Sequence, residues 1–348
     1  MRRLRVTVAL LASCCLAPTT GLDRPFPTPA GEPPTAERVA LGRLLFFDPV
    51  LSGDQSLSCA HCHQPARGLS DGRPTALGRD GTVLSRNAPT LYNVAFKERL
   101  FWDRRAASLE EQALGPLFSS DEMAADPHGL EVRLRAIPGY VERFARAFPE
   151  VPEPVSAGNV ARALAAFERT LVSRSSRYDR FARGDRTALS ASERRGLTLF
   201  RSLNTRCFEC HRLPTFEAPL AMGIGVPSDD PGIGGAHQRP GQNGLFAVPT
   251  LRNVALTAPY MHDGSMATLE EVVEFYREGG GRKFGVAPGR VHEHVRPFEI
   301  RDDEAADLVA FLKALTDESA RPSVPEAVPS GLPVLAARSF PNSEENRP

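Results

Sequence analysis

Two stretches of this 348-residue chain carry the residue types and spacing for redox chemistry: Cys59-Ala60-His61-Cys62-His63 and Cys207-Phe208-Glu209-Cys210-His211. In each, two thiols three positions apart can add to the two vinyl groups of a haem. The histidine that follows then sits beneath the iron as proximal ligand. The competing reading is a zinc ion shared by the four thiols, but zinc asks for no histidine after both pairs. The motifs therefore predict two covalently attached haem c groups, with His63 and His211 on the irons and His61 an exposed spacer.

The remaining cysteines, Cys14 and Cys15, fall in the N-terminal segment, so none is left for a structural disulfide. That segment has a basic start, Met1-Arg2-Arg3-Leu4-Arg5, then an apolar run from Val6 to Leu16. It reads as a secretory leader over residues 1–22, and the run is too short to span a bilayer. Leu11-Ala12-Ser13-Cys14 resembles a lipobox, which would make Cys14 a lipid anchor; the alternative is ordinary cleavage near Thr19 to Gly21. Either way the expected location is periplasmic. Lys+Arg and Asp+Glu both number 42, giving zero formal charge, and no basic block argues for nucleic acid.

The elements that must position these motifs read as helix and loop. Helical spacing or end signals mark Thr35 to Phe47, Leu130 to Phe148, Ala157 to Val172, Thr268 to Tyr276 and Asp302 to Leu315. Ser190-Ala191-Ser192-Glu193 reads as a capping box opening a helix through Leu203. No strand of useful length is expected. Gly42-Arg43-Leu44-Leu45-Phe46 precedes the first motif and Gly196-Leu197-Thr198-Leu199-Phe200 the second. This weak repeat predicts two haem domains of similar, mainly α design: residues 23–185 and 186–318, with 319–348 a disordered tail.

Further segments occur in order: Asn87-Ala88-Pro89-Thr90-Leu91-Tyr92-Asn93, Phe101-Trp102-Asp103, Leu109 to Leu117, Asp121-Glu122-Met123, Pro249 to Val254 and Leu256 to Gly264. Together with the haem motifs they resemble the bacterial di-haem cytochrome c peroxidase and MauG family over nearly all of residues 35 to 318. The resemblance implies two cytochrome-c-like domains with a haem and calcium site at their interface. The N-terminal haem is then the peroxide site, with Gln112 and Glu122 on its distal side. A carboxyl group in an apolar pocket has a pKa suited to moving the proton of a peroxide. Trp102, the sole tryptophan, would lie between the haems. The C-terminal haem would be the electron-transfer site.

Tyr276 stands where the family places the sixth ligand of the second haem, with Met261 and Met266 as rivals. Arg79 stands where family peroxidases place a capping histidine, so the first iron is expected to be open. Calcium would be held by the side chain of Asn87 and the carbonyls of Thr257 and Pro259; oxygen-only donors suit that ion. His262 lies nearby, and His128, His237, His292 and His294 are expected at the surface. The activity implied is reduction of hydrogen peroxide with electrons from a small c-type cytochrome or cupredoxin. The alternatives are MauG-like oxidation of a partner protein and a non-enzymatic di-haem carrier. Homodimers are common in the family.

Overall fold

The computed structural model describes residues 21–334. The expected leader, with Cys14, lies outside these residues except at its end. There Leu22 is already buried in the second core, so the fold begins inside the 1–22 range.

Twelve helices are named in chain order. The first six are α1 (Ala36–Phe47), α2 (Cys59–Cys62), α3 (Leu109–Phe118), α4 (Pro127–Arg135), α5 (Pro138–Ala147) and α6 (Ala157–Glu168). The others are α7 (Arg177–Ala182), α8 (Ala191–Phe200), α9 (Cys207–Cys210), α10 (Ile233–Ala236), α11 (Leu269–Arg277) and α12 (Asp302–Lys313). Among the described residues the one sheet is an antiparallel pair, β1 (Ala221–Met222) with β2 (Phe246–Ala247). The architecture is mainly α, as expected. Leu130 to Phe148 is two helices, because Pro138 has no amide hydrogen to continue the first and instead opens the second. The capping box at Ser190 is formed: Glu193 N–H donates to Ser190 Oγ, and Ser190 N–H to Glu193 Oε2.

Two apolar cores divide the chain. The first, around Leu41, Phe46, Leu117, Tyr140, Phe144 and Leu164, ends at Leu171. The second, around Phe200, Phe216, Leu308 and Phe311, includes Tyr178 and Phe181 of α7. The changeover therefore lies between Leu171 and Tyr178, earlier than the expected boundary at 185. In both halves the helix feeding the haem motif crosses another helix at a glycine. A Cβ on Gly42 would lie 1.8 Å from the Ala163 carbonyl oxygen of α6, and one on Gly196 2.0 Å from that of Asp307 in α12. The repeat seen in sequence is thus a pair of matched helix crossings, each requiring a residue without a side chain.

The tail is a second correction. Residues 319–334 pack on the N-terminal half: Ala320, Leu332 and Val334 touch its core, and Val328 is buried. Ser330 Oγ donates to Asp48 Oδ1 (2.7 Å), whose Oδ2 accepts from Tyr140 Oη (2.6 Å). Residues 335–348 lie outside the described range.

Candidate active site

Each haem motif forms one helical turn that ends on its histidine. His63 caps α2, and His211 caps α9. His63 Nδ1 donates to the Leu69 carbonyl (3.0 Å), and His211 Nδ1 to that of Phe216 (3.1 Å). Both rings are thereby fixed in the tautomer that leaves Nε2 with a free lone pair, the state an iron ligand needs. Burial holds both imidazoles below their ordinary pKa, His211 at about 4, which keeps them neutral. His61 is half-buried, because its Nδ1 accepts from Ser58 N–H (3.1 Å) and caps α2.

Each motif opens on its own cavity. The first, of ≈ 510 Å³, is walled by Cys59, Cys62, His63, Gln112, Pro116 and Glu122 among others. The second, of ≈ 230 Å³, is walled by Cys207, Cys210, His211, Met261, His262 and Tyr276. Both thiol pairs are unbridged, and burial raises all four thiols, Cys62 to about 12. Two thiols and one oriented imidazole on the wall of an apolar cavity are what covalent haem attachment requires, so the residues fit the group. They do not fit zinc: the four thiols stand in two cavities, and no cluster of three or more His, Cys, Asp or Glu placed to hold a metal exists among the described residues.

In the first cavity Gln112 comes from the middle of α3, a helix the sequence reading did not mark. Its N-cap is Ser108, whose Oγ accepts from Glu111 N–H. Glu122 follows α3 in a turn held by Glu122 N–H to the Ser119 carbonyl (3.2 Å). Burial raises the Glu122 carboxyl above its ordinary range, opposed by the charge of Arg105 and a hydrogen bond from Ser119. Arg79 sits at the tip of a small hairpin over residues 76–86, and its N–H donates to the Glu122 carbonyl (3.1 Å). Its own side chain is more than a third exposed, beside Asp80, and is not part of the cavity wall. Gly78 allows this close approach, since a Cβ there would strike the Asp121 carbonyl at 1.7 Å.

Trp102 and Asn87 line both cavities. Trp102 Nε1 donates to the Asn87 carbonyl (3.0 Å), and Ala247 N–H to the Trp102 carbonyl (2.8 Å). Arg86 ties the halves together beside it, bonding Asp103 (2.6 Å) and both oxygens of Asp230 (2.7 and 2.9 Å). Asn87 Nδ2 lies 2.8 Å from the Arg73 carbonyl and 3.5 Å from that of Pro259, and Thr257 lines the same wall. The side chain of Asn87 and the Pro259 carbonyl are thus brought together, and both can supply neutral oxygens of the kind calcium takes.

Tyr276 reaches the second cavity from α11, with burial raising its hydroxyl pKa. Met261 lines that cavity too; Met266 does not, its backbone being paired with Tyr260. His262 is buried and stacked on Phe246 at 3.9 Å. His128 is exposed as expected. The other three are half-buried. His237 bonds the Asp103 carbonyl (3.2 Å), His292 accepts from His294 N–H, and His294 pairs with Glu209 (2.6 Å) on the second cavity wall.

A repeat that sequence reasoning missed organises all this. At a constant offset of 160 residues, Pro89-Thr90-Leu91-Tyr92-Asn93-Val94 matches Pro249-Thr250-Leu251-Arg252-Asn253-Val254. Thr90 Oγ1 bonds the Gly68 carbonyl (2.7 Å) and Thr250 Oγ1 that of Thr215 (2.5 Å). Asn93 and Asn253 are both left-handed (φ 64° and 61°). The same offset sets Trp102 against His262, each following a left-handed non-glycine residue, Phe101 (φ 68°) or Met261 (φ 75°). It also sets Gln112 against Val272 and Pro116 against Tyr276.

Comparison with known proteins agrees. Residues 36–187 match the family described as di-haem cytochrome c peroxidase. The chain is 40% identical to the methylamine utilization protein MauG of Methylorubrum extorquens, over 86% of this chain and 84% of that one. It is 35% identical to the cytochrome c551 peroxidase of Pseudomonas aeruginosa, over 85% and 83%. A MauG-like protein associated with microbial copper homeostasis superposes with TM-score 0.78 at 36% identity, over 86% and 97%. The di-haem peroxidase BthA of Burkholderia thailandensis gives 0.72 at 28%, over 87% and 91%. With two matched haem-attachment frames, two cavities and these relatives across most of its length, the chain belongs to the di-haem cytochrome c peroxidase and MauG family of oxidoreductases.

Proposed function

We propose that the protein reduces hydrogen peroxide at the N-terminal haem, with electrons passed in from the C-terminal haem. The observation that carries this is the asymmetry of the cavities: Gln112 and Glu122 converge on the first, whereas Tyr276 projects into the second. Bound haem supplies the redox iron at which the O–O bond is broken. His63 and His211 offer Nε2 to the irons. Gln112 orients the peroxide through its amide. Glu122, whose carboxyl burial raises above its ordinary range, takes the proton of the near oxygen and returns it to the departing one. Trp102 stands on the path between the haems. Asn87, Thr257 and Pro259 hold calcium at the junction. The donor is a small c-type cytochrome or cupredoxin in the periplasm. Peroxide turnover with reduced cytochrome c tests this; no turnover would overturn it.

Tyr276 favours a second reading, MauG-like oxidation of residues in a partner protein. A tyrosine ligand stabilises the oxidised iron more than a methionine would. Oxidation of a protein partner by peroxide, without turnover of cytochrome c, would select it. The proton-transfer groups of the first cavity weigh against a plain electron carrier, which has no use for them. Among the described residues no helix is long and apolar enough to cross a membrane.

A further inference from the structure

The first cavity contains a carboxyl group that the reaction above does not use. Glu168, the last residue of α6, is 5% exposed and forms part of the cavity wall. Its Oε2 meets no hydrogen-bond donor. The adjacent cation does not relieve it, because Arg169 is engaged elsewhere. Arg169 bonds both oxygens of Glu110 on α3 (2.8 and 3.2 Å) and the Ala30 carbonyl (3.0 Å). The charge of Glu168 is felt at Cys59, whereas that of Glu122 is felt at Cys62. The two carboxyls therefore face opposite ends of the attachment motif and are separate groups. The other cations on this wall besides Arg105 are paired: Lys97 with Glu217 (3.3 Å), and Arg86 with Asp103 and Asp230.

A buried carboxyl with an orphan oxygen is costly to ionise and unrewarded when neutral. Burial moves Glu168 up to about 8, with Arg169 opposing and Glu110 adding to the rise. Its charge is thus poised near neutrality. On haem attachment the Cys59 thiol becomes an uncharged thioether, so Glu168 then faces the haem rather than a titrating thiol.

We propose that Glu168 is the redox-linked proton site of the N-terminal haem, resting on the reading that haem is attached at Cys59 and Cys62. Glu168 is ionised while the iron is ferric and takes up one proton from water when the iron accepts one electron from the partner haem. One negative charge is then lost from the carboxylate as one positive charge is lost from the iron. The oxidised iron, the form that meets peroxide, is thereby stabilised without any contact between Glu168 and the substrate.

The test is a spectroelectrochemical titration of the N-terminal haem in the loaded di-haem protein, as a function of pH. The wild-type potential should fall through the neutral to alkaline range by up to tenfold in the equilibrium constant per pH unit, ~59 mV. In Glu168→Gln that slope should be lost and the potential should stay high at alkaline pH. Equal slopes in the two fully loaded proteins would overturn the proposal alone; absence of haem at Cys59 and Cys62 would overturn the haem reading and the proposal with it. If Glu168→Gln does not fold, the infrared redox difference spectrum of the otherwise native protein decides. A protonated-carboxyl band gained on reduction and retained in Glu122→Gln supports Glu168; no such band overturns it.

Discussion

The N- and C-terminal halves run the same backbone program and arrive at opposite sites. Both cross helices at a glycine, fix a histidine through Nδ1, and close the cavity with a Pro-Thr-Leu loop ending on a left-handed asparagine. They diverge where α3 and α11 face their cavities. α3 presents Gln112 and Pro116; α11 presents Val272 and Tyr276 at the matching positions. Proline has no group to reach an iron and leaves room for a small molecule. Tyrosine fills that room with an oxygen donor. The lesson is that one repeated frame presents different side chains to its two cavities at two positions of one helix face, and the proposed division of labour rests on that difference.

The halves also differ in how they are held. Arg252, 1% exposed, bonds Asp179 through both nitrogens (2.8 Å each) and the Pro214 carbonyl, where the N-terminal half has Tyr92. Burial works to raise Asp179, but the Arg252 bonds outweigh it and hold the carboxyl below its usual range. Asp179→Ala leaves a buried guanidinium unpaired and should cost about 3–5 kcal/mol, read by denaturant unfolding. A loss confined to the second core would sharpen the comparison; a loss under about 1 kcal/mol would break it. Because the folded pKa is depressed, the contribution is present above the unfolded value of about 3.9 and vanishes as pH falls through the folded one. Acid unfolding of Asp179→Asn should therefore lack that step.

Next in size is Glu122→Gln, which should slow peroxide turnover by roughly 10²-fold or more. Its raised pKa makes native turnover climb with pH through a range above that of an ordinary carboxylate, as the base form appears; the variant should show no such rise. An unchanged rate would remove Glu122 from the chemistry. Smaller again, Gly42→Ala and Gly196→Ala should each cost about 1–3 kcal/mol of stability through overpacking. Unequal losses, with one near zero, would show that the two crossings are not equivalent. Last, Tyr276→Phe should alter the spectrum of the second haem and leave the first unchanged; a second haem unmoved by the change would point to Met261.

Much of the chemistry was legible because it is local. The attachment motifs declare themselves in short segments, Gln112, Glu122 and Trp102 were indicated by the family resemblance, and the structure brings them all to adjoining cavities. What escaped was long-range. The second repeat lies at an offset of 160 residues, the haem motifs at 148, so insertions hide the common frame from a search at one period. The tail from 319 to 334 has no apolar periodicity and is held by single anchors such as Ser330 on Asp48. α7 is too short for a periodic signal, and its placement in the second core moved the boundary. Glu168 was not singled out in the sequence, lying inside the helix expected over Ala157 to Val172; only its burial against the cavity distinguishes it.

The central claim is that the two haem sites share a frame but differ in their sixth position. Electron paramagnetic resonance of the resting ferric protein tests it most directly. One high-spin haem, at His63 with its far side open, and one low-spin haem, at His211 with Tyr276, is the predicted result. Two low-spin haems would mean that the first iron is capped after all, and would contradict the account.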